Sequence, residues 1–200
     1  MPKIVVIAGP NGAGKSTTAP RLLRSALSVN EFVNADTIAA GLSAFAPETV
    51  AMAAGRAMLA RIKILAATRA DFAFETTLAS RTFAPWLRGL QQSGYTVHVI
   101  YLWLNNVDLA VARVGERVRH GGHAVPEPTV RRRYERSLFN FFNLYRPFAD
   151  SWLMLDNSHS SVPRTIAWRN VGGPLQIVTS GPWFNLSRNY EQNILNQSGN

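Results

Sequence analysis

Nine residues near the N-terminus, Gly9-Pro10-Asn11-Gly12-Ala13-Gly14-Lys15-Ser16-Thr17, constrain this chain more than any other feature. They fit G-x-x-x-x-G-K-[ST]. They also stand between Lys3–Ala8, a Val- and Ile-rich run that reads as a buried strand, and Ser16–Ser28, whose apolar residues recur at helical spacing. Strand, glycine loop and helix in that order make a phosphate cradle. The glycines let backbone N–H groups converge on an anion, and the start of the helix adds a positive dipole. Lys15 reaches the β- and γ-phosphates of ATP, and the Ser16 hydroxyl ligates Mg2+. A glycine turn that merely joined a strand to a helix would not need the Lys-Ser pair.

The rest of the pattern agrees with such a loop. Short apolar runs at Glu31–Asn34, Phe72–Phe74, Tyr95–Leu104 and Ser151–Leu155 alternate with helical spacing at Pro47–Ala70, Arg81–Ser93, Asp108–His120 and Pro126–Tyr145. Leu175–Thr179, and more weakly Thr165–Arg169, are the last strand candidates. Alternation of this kind predicts an α/β P-loop NTPase fold of the nucleoside- or nucleotide-kinase type, a parallel sheet flanked by helices. Two hundred residues suffice for one core, so 1–180 read as a single kinase-like domain and 181–200 as a polar C-terminal tail. No cysteine is present, which excludes disulfides, thiolate metal sites and a cysteine nucleophile. With no apolar run long enough to span a membrane and no signal peptide, a cytoplasmic protein without a membrane partner is expected.

The loop alone does not choose the reaction. The chain has no Asn-Lys-x-Asp segment of a GTPase, and neither the Ser-Gly-Gly signature nor the apolar strand ending in Asp-Glu of an ABC-type ATPase. A kinase needs an acid near the γ-phosphate, an acceptor pocket and arginines to neutralise the transferring group. Two acids sit at predicted strand ends, where ligands collect in such sheets. Asp36, in Asn34-Ala35-Asp36, either takes the acceptor's proton or caps a short helix. Glu75, in Phe74-Glu75-Thr76-Thr77, either binds the acceptor together with Thr76 or caps the next turn.

The net charge of +9 comes almost wholly from arginine, since only three of 21 basic residues are lysines. An arginine-writing genome accounts for that bias but not for its clustering. Residues 113–146 hold eight arginines against three glutamates. Arg113, Arg117, Arg119 and then Arg131-Arg132-Arg133 and Arg136 lie on two predicted helices joined by Gly121-Gly122-His123. This is either an arginine-rich helical lid over the triphosphate or a solvated basic face. His123 closes over the acceptor or stabilises the loop.

Taken together, Gly9–Thr17, Asn34-Ala35-Asp36, Phe74–Thr77, Arg117–His123 and Arg131–Tyr134 resemble the zeta-toxin-like P-loop kinases, in particular the short bacterial branch often labelled predicted ABC-type ATPase. The resemblance spans about the first three quarters of the chain. It implies an ATP- and Mg2+-dependent kinase with Lys15 and Asp36 in catalysis and Asp36 as base. Glu75, Thr76, His123 and Arg133 would lie toward the acceptor, and Arg119 and Arg132 would neutralise phosphate. Arg117 and Arg133 are alternatives for those two positions, and Arg117 also falls on the ATP side. Family members phosphorylate UDP-N-acetylglucosamine and are neutralised by a small antitoxin, which suggests a UDP-N-acetylamino sugar as acceptor and an antitoxin as partner. The competing expectation is a nucleotide-dependent nucleic-acid-binding protein, or a polynucleotide-end kinase, using the arginines with Tyr134, Phe139, Phe141 and Phe142. The helical spacing of those aromatics fits a buried face better, so nucleic acid is the less favoured partner.

Overall fold

The structure is a computed structural model that describes residues 1–44, 46–122, 124–159 and 162–191. Its elements run β1 (Lys3–Ala8), α1 (Lys15–Arg21) with a π-helical turn over Leu22–Ala26, β2 (Glu31–Val33) and α2 (Ala35–Leu42). Then come α3 (Ala51–Ala67), entered through a 3-10 turn at Pro47–Val50, β3 (Phe72–Thr76), α4 (Phe83–Gln92) and β4 (Thr96–Trp103). The chain continues through α5 (Val107–Arg119), α6 (Glu127–Asn140) with a π-helical turn over Phe141–Tyr145, β5 (Ser151–Asp156), β6 (Arg164–Arg169), β7 (Gln176–Ile177) and α7 (Ser180–Tyr190).

The strands make one sheet in the order β2-β3-β1-β4-β5-β6-β7. β1 lies inside it, parallel to β3 and β4, which explains why Ile4 to Ala8 are all apolar and fully buried. β2 to β5 are parallel as expected, but β6 pairs antiparallel with β5 and with β7. The reason is length: seven residues separate β5 from β6, enough for a hairpin and too few for a crossover helix. The sheet is therefore mixed.

Beside β4 and β5 the core is aromatic. Tyr101 meets Phe141 at 4.7 Å between ring centroids, Phe141 meets Trp152 edge-on at 5.8 Å, and Trp183 stacks on Trp152 at 5.4 Å. Trp183 and Leu186 are buried, so the segment from Ser180, expected as a polar tail, begins with a docked helix. Residues 192–200 of that expectation lie outside the described residues. The opposite face of β4, β5 and β6 bears an open groove of 510 Å³ lined by Leu27, His98, Ile100, Leu153, Trp168 and Val178. Among the described residues, no helix is long and apolar enough to cross a membrane.

Candidate active site

The phosphate loop fills the gap between the end of β1 and the start of α1, and two of its glycines are dictated by close approach. A Cβ on Gly9, whose φ is +140°, would lie 2.2 Å from the Leu102 carbonyl oxygen. One on Gly14, at φ +76°, would lie 2.5 Å from Asn157 Nδ2. The loop is pinned from outside: Asn157 Nδ2 donates to the Ala13 carbonyl at 2.9 Å. Arg113 in turn donates to the carbonyls of Asn157 at 2.8 Å and Ser158 at 3.0 Å. Within the loop, the Pro10 carbonyl accepts from Ala13 N at 3.2 Å and from Lys15 Nζ at 2.9 Å. Ser16 and Thr17 are exposed on the first turn of α1.

Register brings the acids to this loop. Pairing of Ile7 with Glu75 and of Val33 with Phe74 lines up the carboxyl ends of β1, β3 and β2. Glu75 accepts from Ser16 Oγ at 2.8 Å and Asn34 Nδ2 at 2.7 Å, and its other oxygen lies 3.7 Å from Lys15 Nζ. Lys15 is 7% exposed, and burial pulls its ammonium below the ordinary lysine pKa against the opposing pull of Glu75 and Asp36. Glu75 therefore caps no turn. That work falls to the hydroxyls of Thr76 and Thr77, which accept from Leu78 N at 3.1 Å and Ala79 N at 3.4 Å.

The two readings of Asp36 separate in the same way. Asn34 Oδ1 accepts from Asp36 N at 2.7 Å and Thr37 N at 3.3 Å, so Asn34 is the N-cap of α2. The Asp36 carboxylate is thereby released from capping. It is 56% exposed and lies 3.5 Å from Arg117 Nη1. Asn34 was not among the predicted site residues, although an Asn two positions before an acid at a strand end is a recognisable cap signal.

Two cavities meet at the Asp36–Arg117 pair. One, of 230 Å³, lies over the loop and is lined by Asn11, Lys15, Asp36, Glu75, Thr76 and Arg133, among others. The second, of 450 Å³, continues past Ser16 and Asp36 toward Ala39, Ala40, Ala51 and Gly122. The larger groove on the far sheet face contains none of these groups. Asn11 is only 9% exposed and its Oδ1 has no hydrogen-bond partner among the described residues, a cost of about 1–3 kcal/mol for a buried acceptor. Burial, with Arg132 as like-charged neighbour, holds the Arg133 guanidinium below its ordinary pKa, with Asp36 pulling the other way.

Of the four candidate arginines, the structure brings Arg117 and Arg133 to the cavities. Arg119 pairs with Glu116 on the surface, and Arg132 is exposed and lines neither cavity. His123 lies outside the described residues. The sequence reading placed Arg113 only in the arginine-rich lid and missed that it holds the loop through Asn157, which carries no local signal at all. Among the described residues there is no cluster of three or more His, Cys, Asp or Glu suited to a metal. The hydroxyl of Ser16 against the Glu75 carboxylate is nevertheless the donor pair a phosphate-bound Mg2+ needs, since that ion takes few protein ligands and completes its shell with phosphate and water.

Residues 4–139 match the AAA domain family AAA_33, more than half of the chain. The chain belongs to that family. An uncharacterized protein of Haemophilus influenzae is 30% identical over 134 residues, covering 66% of this chain and 92% of that one. Among solved structures, the AvrRxo1-ORF1:AvrRxo1-ORF2 complex aligns with a TM-score of 0.73 in its sulphate form and 0.71 in its ATP form, at 13% and 14% identity. Those alignments cover 94% of this chain but only 64% of that one, so the chain spans less than two thirds of the relative's length. The PezAT chromosomal toxin-antitoxin system of Streptococcus pneumoniae aligns with a TM-score of 0.58 at 12% identity, covering 82% of this chain and 72% of that one. At such identities the likeness is one of fold: a mixed sheet flanked by helices with a P-loop between β1 and α1.

Proposed function

We propose that the chain is a phosphotransferase that moves the γ-phosphoryl group of ATP to a hydroxyl of a small acceptor seated against Asp36. The observation that carries this reading is the release of Asp36. With Asn34 capping α2, the Asp36 carboxylate, 3.5 Å from Arg117 Nη1, stands at the junction of the loop cavity and a 450 Å³ cavity able to hold an acceptor. Asp36 takes the acceptor proton as the acceptor oxygen bonds to phosphorus, the bond from the γ-phosphorus to the bridging oxygen breaks, and ADP leaves. Lys15 and the loop amides hold the phosphates, while Arg117 and Arg133 are the guanidinium groups placed to meet charge on the equatorial oxygens. Ser16 and Glu75 would hold Mg2+, which supplies further charge neutralisation. In this reading Glu75, Thr76 and Arg133 line the phosphate-side cavity, and the acceptor rests on Asp36 in the larger one.

The resemblance to zeta toxins favours a UDP-N-acetylamino sugar as acceptor, and the likeness to the PezAT toxin-antitoxin system favours a small antitoxin partner. A nucleic-acid role loses support because Tyr134, Phe141 and Phe142 are buried, so that of the four aromatics only Phe139, 37% exposed, offers a face for stacking a base.

The test is incubation with Mg2+-ATP and panels of nucleotide sugars, nucleosides and nucleic-acid ends, with phosphoryl transfer followed by mass spectrometry. One small acceptor gaining one phosphate is expected. Asp36→Asn should reduce transfer at least about a hundredfold while ATP binding persists, and Lys15→Ala should abolish it. Full transfer by Asp36→Asn would remove Asp36 as base.

A further inference from the structure

The cavity on the acceptor side of Asp36 is built from a narrower chemistry than the rest of this arginine-rich protein. Asp36, Ala39 and Ala40 stand at i, i+3 and i+4 in α2, so they share one face of that helix. All three line the 450 Å³ cavity, together with Ala44, which follows α2, and Ala51, which opens α3. Ala39 is buried, whereas Ala40, Ala44 and Ala51 are exposed, so the wall they form is open to a ligand. Gly121 and Gly122 add to the lining without side chains. Alanine is the best helix former, which accounts for its presence in α2 and α3. Propensity does not account for alanines of two helices and their connection converging on the cavity that holds Asp36.

Charge narrows the chemistry further. Residues 113–146 hold eight arginines, yet among the described residues Asp36 and Arg117 are the only charged groups lining this cavity. They stand 3.5 Å apart, so the guanidinium already faces a carboxylate. Arg133 belongs to the phosphate-side cavity. A phosphate or diphosphate carried into the larger cavity would find no second cation, and an anion set against alanines without a partner is costly.

We propose that the acceptor is a neutral alcohol, its hydroxyl at Asp36 and the apolar face of its carbon skeleton against Ala39, Ala40 and Ala51. The alanine wall admits that skeleton by leaving room that larger side chains would fill. The scarcity of cations turns away phosphorylated and nucleotide-linked acceptors, so this chemistry departs from the UDP-N-acetylamino sugar that the resemblance favours. The step itself is unchanged: the acceptor oxygen bonds to the γ-phosphorus, its proton passes to Asp36, and ADP leaves. The inference rests on the phosphotransferase reading of the site.

The experiment offers the full chain, with Mg2+-ATP, matched acceptors that keep the same hydroxyls free. Methyl N-acetylglucosaminide is set beside UDP-N-acetylglucosamine, 5′-O-methyluridine beside UMP and UDP, and phenyl β-glucoside beside glucose 1-phosphate. A neutral member should gain one phosphate with kcat/KM at least about tenfold above that of its phosphorylated partner. Ala40→Leu and Ala51→Leu, both at exposed positions, should raise KM for that neutral acceptor at least about tenfold. Their kcat, and their affinity for AMP-PNP by titration calorimetry, should hold. A phosphorylated member used as well as its neutral partner, or better, overturns the inference and leaves the phosphotransferase reading standing. Unchanged KM in both leucine variants likewise overturns it, by removing the alanine wall from acceptor selection. Absence of transfer to every member, with AMP-PNP still bound, overturns the phosphotransferase reading and the inference together.

Discussion

Asn34 uses both halves of one amide: its Oδ1 caps α2 through Asp36 N and Thr37 N, while its Nδ2 donates to Glu75 and, at 3.2 Å, to Ser16 Oγ. One buried side chain thus ties the acid of the acceptor side to the acid of the phosphate side. Asn34→Ala is expected to cost about 1–2 kcal/mol in urea unfolding, the range for a lost N-cap, and to lower phosphoryl transfer as well because Asp36 sits on the first turn of the uncapped helix. Asn34→Ser, which keeps a capping oxygen, should recover most of the stability but not the contact to Glu75. His98 provides a separate test, remote from this chemistry. Burial holds its imidazole below the ordinary pKa, against the pull of Asp150, while its nitrogens meet Ser151 Oγ at 2.6 Å and Thr96 Oγ1 at 3.2 Å. The unfolded chain therefore takes up a proton near pH ~6.5 that the folded chain refuses until lower pH, so stability rises with pH through that window and falls on acidification. His98→Gln should flatten the slope of the urea midpoint between about pH 5 and 7. At this scale the placement of Lys15, Ser16 and Asp36 beside the cavities was legible because motif and strand-end position single them out. Glu75 was legible as important but not in its partner, because register alone decides whether it turns to the loop or to the acceptor.

The arginine helices show where element-level reading reaches its limit. Helical spacing identifies α5 and α6, yet successive residues turn by about 100°, so Arg117 and Arg119 point to nearly opposite sides of α5. Glu116, three residues before Arg119, captures that side chain on the surface, whereas Arg117 reaches Asp36. The cluster was visible in the sequence, but the members that serve the site depend on the rotation of each helix about its axis. Gly122 sets the course of Arg117: a Cβ there would lie 2.5 Å from Arg117 Cγ and 2.9 Å from its carbonyl oxygen. Gly122→Ala should therefore displace Arg117 from Asp36 and slow transfer about ten- to a hundredfold, as a misplaced charge does, with little change in Tm. Equal turnover in wild type and variant would show that the glycine serves only the turn.

Across the whole molecule, the parallel part of the sheet followed from alternating strands and helices, while the antiparallel edge did not, because a hairpin and a short crossover look alike in composition. The docking of α7 was hidden by its polar surroundings, although Trp183, Leu186 and Tyr190 stand at helical spacing. Trp183→Ala removes a side chain that is 3% exposed and stacked on Trp152, and should destabilise the protein by about 3–5 kcal/mol in urea unfolding followed by tryptophan fluorescence. A loss under about 1 kcal/mol would mean that α7 adds little to the core. The hydrogen bond from Asn157 to Ala13 has a consequence for biosynthesis. The phosphate loop leaves the ribosome before the segments that hold it, since its strand waits for partners from Phe72 onward and its clamp for residue 157. At synthesis rates of about 5–20 residues per second, that interval is on the order of ten seconds. Throughout it the nascent chain carries the whole nucleotide motif without the architecture to hold a nucleotide, so ligand capture waits on a clamp made long after the motif itself.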